Sequence, residues 1–306
     1  MIKINPFNWF KPVEIALIAY ILTISCLLIF FHVRLTGITY HTLLYGLPTV
    51  VLMLLIFLQN RYPKNKYLIL IRLFSPLLFL PILYGETDYF NNLFFAQNLD
   101  PFFANIEFLL FKAQPSLLFA EQMHFDWMAE FMYFGYFSYY MLILLIPIYA
   151  FYTKGIHLAE KTIFIIINSF LLYYLIFIII PVAGPQFYFS EKMTLLPEGY
   201  LFGPIIKLIQ LHGEGETGAF PSSHVSICLI ILYICYAEIK KLFPYVLIIS
   251  ILLILSTVYL RAHYVIDLLG ALIMTPVMYI FSFWLYKKFE FTAYDKPSGR
   301  ISRSKK

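Results

Sequence analysis

Charged side chains are scarce in this sequence, since Asp, Glu, Lys and Arg make up only 13% of its 306 residues. Soluble domains carry about a quarter, so the composition excludes an ordinary water-soluble globular protein. Hydrophobic residues make up 61% of the chain, and apolar runs of roughly 20 residues recur along it, as bilayer-spanning helices require. The composition therefore predicts an all-α fold, a polytopic bundle of membrane helices.

Cysteine is also rare. Cys26, Cys228 and Cys235 all fall inside predicted spans and lack the spacing of metal ligands. This pattern predicts buried thiols rather than a disulfide framework or a zinc finger.

The chain also lacks an internal repeat and lacks paired Gly/Pro-broken spans in two matching halves, which many transporters have. These absences disfavour a transporter or channel.

Eight membrane spans are predicted. Between the third and fourth spans, residues 86–126 alternate irregularly between apolar residues and Asn, Asp or Glu, a pattern that indicates short interfacial helices. A second long loop, 183–219, is rich in glycine and is interpreted either as a flexible lip over a site or as a plain connection. The spans are approximately 13–33, 42–59, 67–85, 127–152, 162–182, 220–238, 244–262 and 265–286.

The basic residues predict the orientation of these spans. With eight spans, 16 of the 22 Lys and Arg residues fall on the side that holds both termini, 5 fall on the other side, and Arg72 lies within the third span. Cytoplasmic loops carry the excess of positive charge, so both termini are predicted to be cytoplasmic. The net charge of +5 therefore relates to topology rather than to nucleic-acid binding.

One candidate catalytic pair is His263 and Asp267. Four residues apart on a helix, they would share one face. A carboxylate that accepts the proton of one imidazole nitrogen leaves the other nitrogen free as a nucleophile. The alternative interpretation is a His-Asp pair that only ties two helices together.

A second cluster lies at 220–224, Phe-Pro-Ser-Ser-His. Proline suits the first turn of a helix, and Ser222 and Ser223 at such an N-terminus form a natural anion site. His224 would then donate a proton to a leaving oxygen. The alternative is a capped helix start with a hydrogen-bonded histidine.

The two clusters are separated by one span out and one span back, so they should meet on the non-cytoplasmic side of the membrane. Together they predict phosphoryl transfer. His263 attacks phosphorus, Asp267 orients it, and His224 protonates the leaving alkoxide. Water or a lipid hydroxyl then releases the phosphohistidine, with His224 acting as base.

Pro-Ser-Ser-His at 221–224 and His-x-x-x-Asp at 263–267 resemble motifs of the type-2 phosphatidic acid phosphatase superfamily. The family has glycine where this chain has Ser223, and its third motif begins with a serine, matched by Ser256. The resemblance is close over about 180–275 and looser back to about 90. It implies a catalytic membrane domain over 86–290, after a three-helix membrane segment at 1–85 and before a basic, disordered cytoplasmic tail at 291–306.

Two departures from the family pattern mark a branch. Thr257 stands where the family has arginine, and the motif Lys-x6-Arg-Pro is absent. Both features are shared by the inositol phosphorylceramide synthases (aureobasidin-resistance proteins), whose sequences this chain resembles around 218–222 and 256–260. The resemblance implies an enzyme that transfers phosphoinositol or a similar headgroup phosphate to a lipid acceptor, without a metal or cofactor.

The missing arginine leaves the phosphate without its usual cation. Arg261 is the first candidate to replace it, from a non-helical turn, and Lys207 and Lys192 follow; the alternatives are a headgroup anchor and plain loop charges. Gln186 is a candidate ligand for a polar headgroup. A tyrosine stripe in the fourth span is interpreted as helix packing or as the lining of a headgroup pocket: Tyr133, Tyr136 and Tyr140.

Several functions remain open at this point. Hydrolysis of a lipid phosphate is the alternative to transfer, because water and a lipid hydroxyl need the same triad. A non-catalytic lipid-binding protein is the next alternative. A zinc site at His224, His263 and Asp267 is a further one, which chelators would reveal. The expected location is the plasma or inner membrane or an endomembrane, with the site on the periplasmic, extracellular or lumenal face.

Overall fold

A computed structural model of the chain describes residues 9–192 and 195–294. The protein is all-helical, with 78% helix and no strand in the described residues. The helices are α1 (Pro12–Phe30), α2 (Ile38–Arg61), α3 (Lys66–Tyr89), α4 (Asp100–Phe111), α5 (Pro115–Gln122), α6 (Asp126–Lys154), α7 (Ile156–Ile179), α8 (Pro185–Tyr188), α9 (Phe202–Gly213), α10 (Ser223–Glu238), α11 (Phe243–Tyr259) and α12 (Val265–Tyr294).

Among the described residues, six helices are long and apolar enough to cross a membrane: α1, α2, α3, α6, α7 and α12. The protein is therefore an integral membrane protein. The other two predicted spans correspond to α10 and α11, which are apolar but have only 16 and 17 residues. At 1.5 Å per residue they rise about 25 Å, less than the ~30 Å of a bilayer's hydrocarbon core. Of the eight predicted spans, six thus have full membrane length.

Helix α7 lies at the centre of the bundle. It contacts α1, α3, α6, α10 and α12, and its side chains are buried on all sides, including Phe164, Tyr173 and Phe177. A helix that is apolar all round belongs in the interior, and the sequence of α7 is apolar over nearly its whole length. Its C-terminal end leads directly into the loop that forms one wall of the candidate site.

The two long loops contain helices of their own. Helices α4 and α5 fill the segment predicted to hold interfacial helices. The segment 183–219, predicted as a lip or connection, folds into α8, a 3-10 turn (Ser190–Lys192) and the 12-residue α9. Pro204 lies in the first turn of α9, where proline is tolerated. This proline is therefore compatible with a helix in the segment.

Ion pairs, buried or partly buried, join the helices at the end of the bundle where α1 begins and α10 ends. Lys11 Nζ lies 3.4 Å from Glu160 Oε1, and Lys161 Nζ lies 2.6 Å from Glu238 Oε1. Arg72, the basic residue inside the third span, donates from Nη2 to Glu14 Oε2 over 2.7 Å. Charges inside a membrane protein are tolerated when they are paired in this way.

The first predicted segment boundary falls inside a helix, and most of the last predicted segment lies outside the described residues. The boundary between residues 85 and 86 lies within α3, and both α1 and α3 pack against α7 of the following segment. Most of the predicted tail, residues 295–306, lies outside the described residues, and α12 continues through Tyr294.

Candidate active site

The first half of the site is the N-terminus of α10. Ser222 caps this helix, because its Oγ accepts a hydrogen bond from Val225 N over 3.3 Å. The helix begins at Ser223, which places His224 in its first turn. A serine N-cap satisfies one of the backbone N–H groups that a helix start leaves unpaired. The sequence pattern predicted this helix start to within three residues.

The second half is the turn between α11 and α12. His263 was predicted to share a helix with Asp267, but α12 begins only at Val265, so His263 lies in the preceding turn. Asp267 Oδ2 accepts a hydrogen bond from Tyr264 N over 2.8 Å and lies 3.3 Å from His263 Nδ1. The Asp267 carboxylate thus caps α12 and also contacts the imidazole of His263. The two residues are therefore close together although they do not share a helical face.

The two halves meet through backbone and imidazole contacts. His263 Nδ1 lies 2.9 Å from the carbonyl oxygen of Ala219, and Ser222 N donates to the carbonyl oxygen of Asp267 over 3.2 Å. His224 Nδ1 lies 3.1 Å from His263 Nε2. His263 therefore contacts both of the other residues predicted to be catalytic, Asp267 and His224, and His224 lies 39 residues away along the chain.

These contacts assign the protons of the two imidazoles. Both neighbours of His263 Nδ1, the Ala219 carbonyl and the Asp267 carboxylate, are acceptors, so Nδ1 carries the proton and Nε2 has the free electron pair. His224 Nδ1 then donates to that electron pair. Burial lowers the pKa of His263 to about 4, against the opposing effects of the Ala219 carbonyl and the Glu214 charge. The imidazole is consequently neutral near pH 7, as a nucleophile must be.

Two tyrosines of the predicted fourth span pack against His224. The ring centroids of Tyr139 and Tyr136 lie 4.3 and 4.9 Å from that of His224, and both tyrosines are buried. Tyr133, one turn earlier on α6, lines the neighbouring cleft instead. The tyrosine stripe therefore serves both to pack the histidine and to line a cavity.

Two acidic residues of α4 hold the loops of the site. Asp100 accepts hydrogen bonds from Ala183 N and Gly184 N, each over 2.8 Å. Glu107 Oε1 accepts from Val265 N over 2.5 Å. Burial, and to a lesser degree the charge of Asp267, raises the pKa of Glu107 to about 7, although the Val265 N–H opposes this. The motif search missed both residues, because they lie outside the motifs and act only through nonlocal contacts.

Gly184 is required by a close approach between two of these loops. Its φ of 97° is unfavourable for other residues, and a Cβ there would lie 2.8 Å from the carbonyl oxygen of Ala262. Next to it, Gln186 N donates to the carbonyl oxygen of Arg261 over 2.9 Å. The glycine thus lets the loop after α7 pack against the turn that carries His263.

Two cavities adjoin the histidines. A pocket of about 20 Å³ is lined by His224 and His263, room for about one water molecule. A cleft of about 920 Å³ lies beside it, lined by apolar side chains that include Trp127 and Leu196. Gln186 lines both cavities and separates them.

Two of the predicted phosphate ligands, Arg261 and Lys207, line the large cleft, whereas the two serines line neither cavity. Ser222 and Ser223 are buried at the start of α10, beside His224. Arg261 has a left-handed backbone (φ 63°), as its predicted non-helical role requires, and lines the large cleft. Lys207 lies on α9, lines the same cleft, and has its Nζ 3.7 Å from Glu198. The backbone of Lys192 ends the 3-10 turn, and its side chain is outside the description.

Thr257 does not take over the role of the family arginine in this structure. Its hydroxyl donates to the carbonyl oxygen of Ile254 over 2.8 Å, within its own helix. Its carbonyl oxygen accepts a hydrogen bond from His263 N over 3.2 Å. Thr257 therefore supports the backbone of the His263 turn and adds no positive charge.

Glu214 is the polar residue of the pocket that the sequence analysis did not single out. Its carboxylate lines the pocket with His224 and His263 and accepts a hydrogen bond from the Tyr136 hydroxyl over 2.8 Å. Gln186 Nε2 donates to it over 2.7 Å. The sequence offers only a weak signal, a glycine on either side of the residue, so the tertiary contacts alone reveal its position.

In the described ranges, no group of three or more His, Cys, Asp or Glu side chains is arranged to hold a metal ion. The alternative of a zinc site at His224, His263 and Asp267 therefore has no support from this geometry.

Comparison with known proteins places these residues in a larger context. A sequence model described as the PAP2 superfamily matches residues 107–281. A PA-phosphatase related-family protein of Dictyostelium discoideum is 31% identical over 114 residues, which cover 36% of this chain and 20% of that protein. The match thus spans only about a fifth of the length of this relative. No solved structure gives a significant match.

Proposed function

Because this chain belongs to the PAP2 superfamily, we propose that it is a membrane phosphotransferase that moves a headgroup phosphate between lipids. One observation carries the proposal. His263 presents the free electron pair of Nε2 toward His224 at 3.1 Å, while its Nδ1 is held by Ala219 and Asp267. A nucleophile, its orienting carboxylate and a proton donor are the parts that phosphoryl transfer through an enzyme intermediate needs.

In the first half-reaction, phosphorus enters between the two imidazoles. His263 Nε2 forms a bond to phosphorus while the bond from phosphorus to the lipid oxygen breaks. His224, protonated at both ring nitrogens when the phosphate is bound, gives its Nδ1 proton to that leaving oxygen, which departs as a lipid alcohol and leaves a neutral imidazole. Asp267 stabilises the positive charge that develops on the His263 ring.

The second half-reaction reverses these roles. His224, now without the Nδ1 proton, takes a proton from the hydroxyl of the acceptor. The acceptor oxygen forms a bond to phosphorus while the bond from phosphorus to His263 Nε2 breaks. The enzyme returns to its starting protonation state, and the phosphate is on a new alcohol.

The surroundings of the histidines support a lipid substrate. The large cleft has about 920 Å³, within the usual range for a ligand site. It combines apolar walls with two basic and two acidic side chains: Arg261, Lys207, Asp126 and Glu198. The N-terminus of α10, with Ser222 and Ser223, favours an anion through its N–H groups and helix dipole. A phosphate needs more room than this pocket of about 20 Å³ offers, so lining side chains have to move when it binds, and Gln186, which lines both cavities, is placed to do so.

The proposed donor and acceptor follow from the branch resemblance. Phosphoinositol or a similar headgroup phosphate is the group transferred, and ceramide or another lipid alcohol is the acceptor. Gln186 and Gln210 border the cleft and offer amide groups to a hydroxylated headgroup. The site acts on the face of the membrane opposite the termini.

Hydrolysis of a lipid phosphate is the second candidate. The specific observation in its favour is the similarity to a protein whose name refers to phosphatidic acid phosphatase. Water in place of the lipid acceptor would complete the same second half-reaction, so the two candidates differ only in the acceptor.

Purified protein incubated with a panel of labelled lipid phosphates, with and without ceramide or diacylglycerol, distinguishes these functions. A new labelled lipid identifies a transferase, and free phosphate identifies a phosphatase. No product from any lipid would favour a non-catalytic, lipid-binding protein. Vanadate, which resembles five-coordinate phosphorus, is expected to inhibit, and a chelator is expected to leave activity unchanged.

His263→Ala tests the nucleophile in the same assay. Loss of the attacking nitrogen is expected to lower turnover by about a thousandfold or more, with unchanged elution of the protein in detergent. His32→Ala is the matched control, because His32 is exposed in the loop after α1, outside the lining of both cavities, and its Nδ1 contacts the Ile29 carbonyl. Wild-type turnover by His263→Ala would remove His263 as nucleophile.

A further inference from the structure

The pocket that holds His224 and His263 has an unexpected charge for a site proposed to bind phosphate. Its lining includes the Glu214 carboxylate, and none of the described residues that line it is a lysine or arginine. The basic side chains of this region, Arg261 and Lys207, line the neighbouring cleft instead. Apart from the two imidazoles, the formal charge of the described pocket lining is therefore negative.

Glu214 is held firmly in this position. Its Oε1 accepts a hydrogen bond from the Tyr136 hydroxyl over 2.8 Å, and its Oε2 accepts from Gln186 Nε2 over 2.7 Å and from Gln210 Nε2 over 3.3 Å. All three partners donate, and an ionised carboxylate only accepts. The arrangement therefore suits a negative charge at the edge of the pocket.

We propose that Glu214 makes this site select monoanionic phosphodiester lipids over dianionic phosphomonoester lipids. This selectivity rests on the proposed phosphotransfer at His263. A phosphomonoester carries a charge of about −1.5 to −2 near pH 7, whereas a phosphodiester carries only one negative charge. The additional charge of the monoester would face Glu214 in a buried site, where water screens repulsion poorly.

The two cavities match the shape of a diester as well as its charge. The phosphorus atom has to reach the small pocket between the histidines, and only a diester has a second substituent to place elsewhere. The large cleft begins directly beyond Gln186 and has the volume for such a substituent. A monoester would leave this space to solvent and bring its second charge against Glu214.

The test compares two lipids that release the same product. Phosphatidic acid and phosphatidylinositol with identical labelled acyl chains both give labelled diacylglycerol when His263 attacks phosphorus. Release is measured on the full-length protein in mixed micelles, with the acceptor that supports turnover. The wild-type protein is expected to release diacylglycerol at least about tenfold faster from the diester. Charge repulsion large enough to shift a pKa by one unit corresponds to a rate ratio of about ten.

Glu214→Gln keeps the size of the side chain and removes its charge. It is expected to narrow the diester-to-monoester ratio by about tenfold, mainly by raising the rate with phosphatidic acid. Glu216→Gln is the matched control, because Glu216 is two residues away, exposed and outside the pocket lining. It is expected to leave the ratio unchanged.

The outcomes separate this proposal from the proposed function. If diacylglycerol release is absent in the wild type or independent of His263, the phosphotransfer itself is wrong. If release depends on His263 but Glu214→Gln leaves the ratio unchanged, or loses activity on the diester while remaining folded, the selectivity proposal is overturned.

A measurement on the wild-type protein covers the case in which Glu214→Gln does not fold. Dimethyl phosphate, a monoanion, and methyl phosphate, mostly a dianion at pH 8, are compared as inhibitors of diacylglycerol release. The monoanion is expected to inhibit at a lower concentration. Equal inhibition, or stronger inhibition by methyl phosphate, would overturn the proposal without any variant.

Discussion

At the scale of single residues, two histidines of the same chemical type are placed for different tasks. His263 has its Nδ1 held by two acceptors, which directs its electron pair toward the substrate. His224 has no carboxylate partner among the described side chains and packs against the rings of Tyr136 and Tyr139. This difference in partners is the basis on which we propose attack by His263 and proton transfer by His224.

The proton-transfer role of His224 predicts a dependence on the leaving group. His224→Ala is expected to slow release of a lipid alkoxide by about 10²–10⁴-fold, the usual contribution of general acid catalysis. A nitrophenyl ester leaves without protonation, so its release should slow far less. The measurement is the single-turnover rate with both esters, compared with His263→Ala, which should lose both. An equal loss on the two esters would show that His224 is not the acid.

At the scale of secondary-structure elements, α4 positions the site although none of its residues belongs to a motif. Asp100 and Glu107 lie two turns apart on the same face of α4. Their carboxyl groups accept hydrogen bonds from the loop after α7 and from the start of α12. The helix thus fixes the two loops that bring the catalytic candidates together. An acidic side chain buried in this way costs free energy unless it is protonated or fully hydrogen-bonded.

The raised pKa of Glu107 predicts how stability depends on pH. Because its pKa is about 7 in the folded protein and about 4.3 in an unfolded chain, the folded protein binds an extra proton between these values. Stability from this group is therefore present below about pH 4.3 and is lost as pH rises through about 7. Glu107→Gln keeps an acceptor for Val265 N and is expected to raise the melting temperature by a few degrees at pH 8.

Thermal unfolding in detergent at pH 5 and pH 8 checks this expectation. The difference between Glu107→Gln and the wild type should be larger at pH 8 than at pH 5. Glu191→Gln, which changes an exposed carboxyl group, should show no such difference. A lower melting temperature of Glu107→Gln at pH 8 would mean that the ionised carboxylate stabilises the start of α12.

At the scale of the whole molecule, the site and the two ends of the described chain lie at opposite ends of the helix bundle. The histidines lie where α10 and α12 begin. Lys11, before α1, pairs with Glu160 at the start of α7, and Lys287, near the end of α12, lines a cavity with Lys161. The distribution of basic residues predicts that this second end faces the cytoplasm.

The predicted orientation is tested by labelling single cysteines with an impermeant reagent. In a background with Cys26 replaced by Ala, a cysteine added at the C-terminus should react only after the membrane is opened. Glu191→Cys, which places a thiol on the exposed 3-10 turn near the site, should react in sealed cells or vesicles. The reverse pattern would place the site on the cytoplasmic side.

Much of the fold follows from the sequence because membrane insertion is governed by local composition. Runs of about 20 apolar residues must form helices in lipid, since no water pairs with their backbone groups. The predicted spans accordingly coincide with α1, α2, α3, α6, α7 and α12. The two motifs also identified His224 and His263 as a pair. The local structure of each motif is encoded nearby in the chain, because Ser222 and Asp267 cap their helices through contacts within four residues.

Other features were decided only by the tertiary structure. His263 lies in a turn rather than on a helix, and its Nδ1 contacts the carbonyl group of Ala219, 44 residues away. Glu107 reaches Val265 across 158 residues, and Glu214 reaches Tyr136 across 78. Contacts between residues so far apart leave no period or spacing in the chain. The positions of the helices are thus a local property of this sequence, whereas the charge of the pocket arises only when the helices pack.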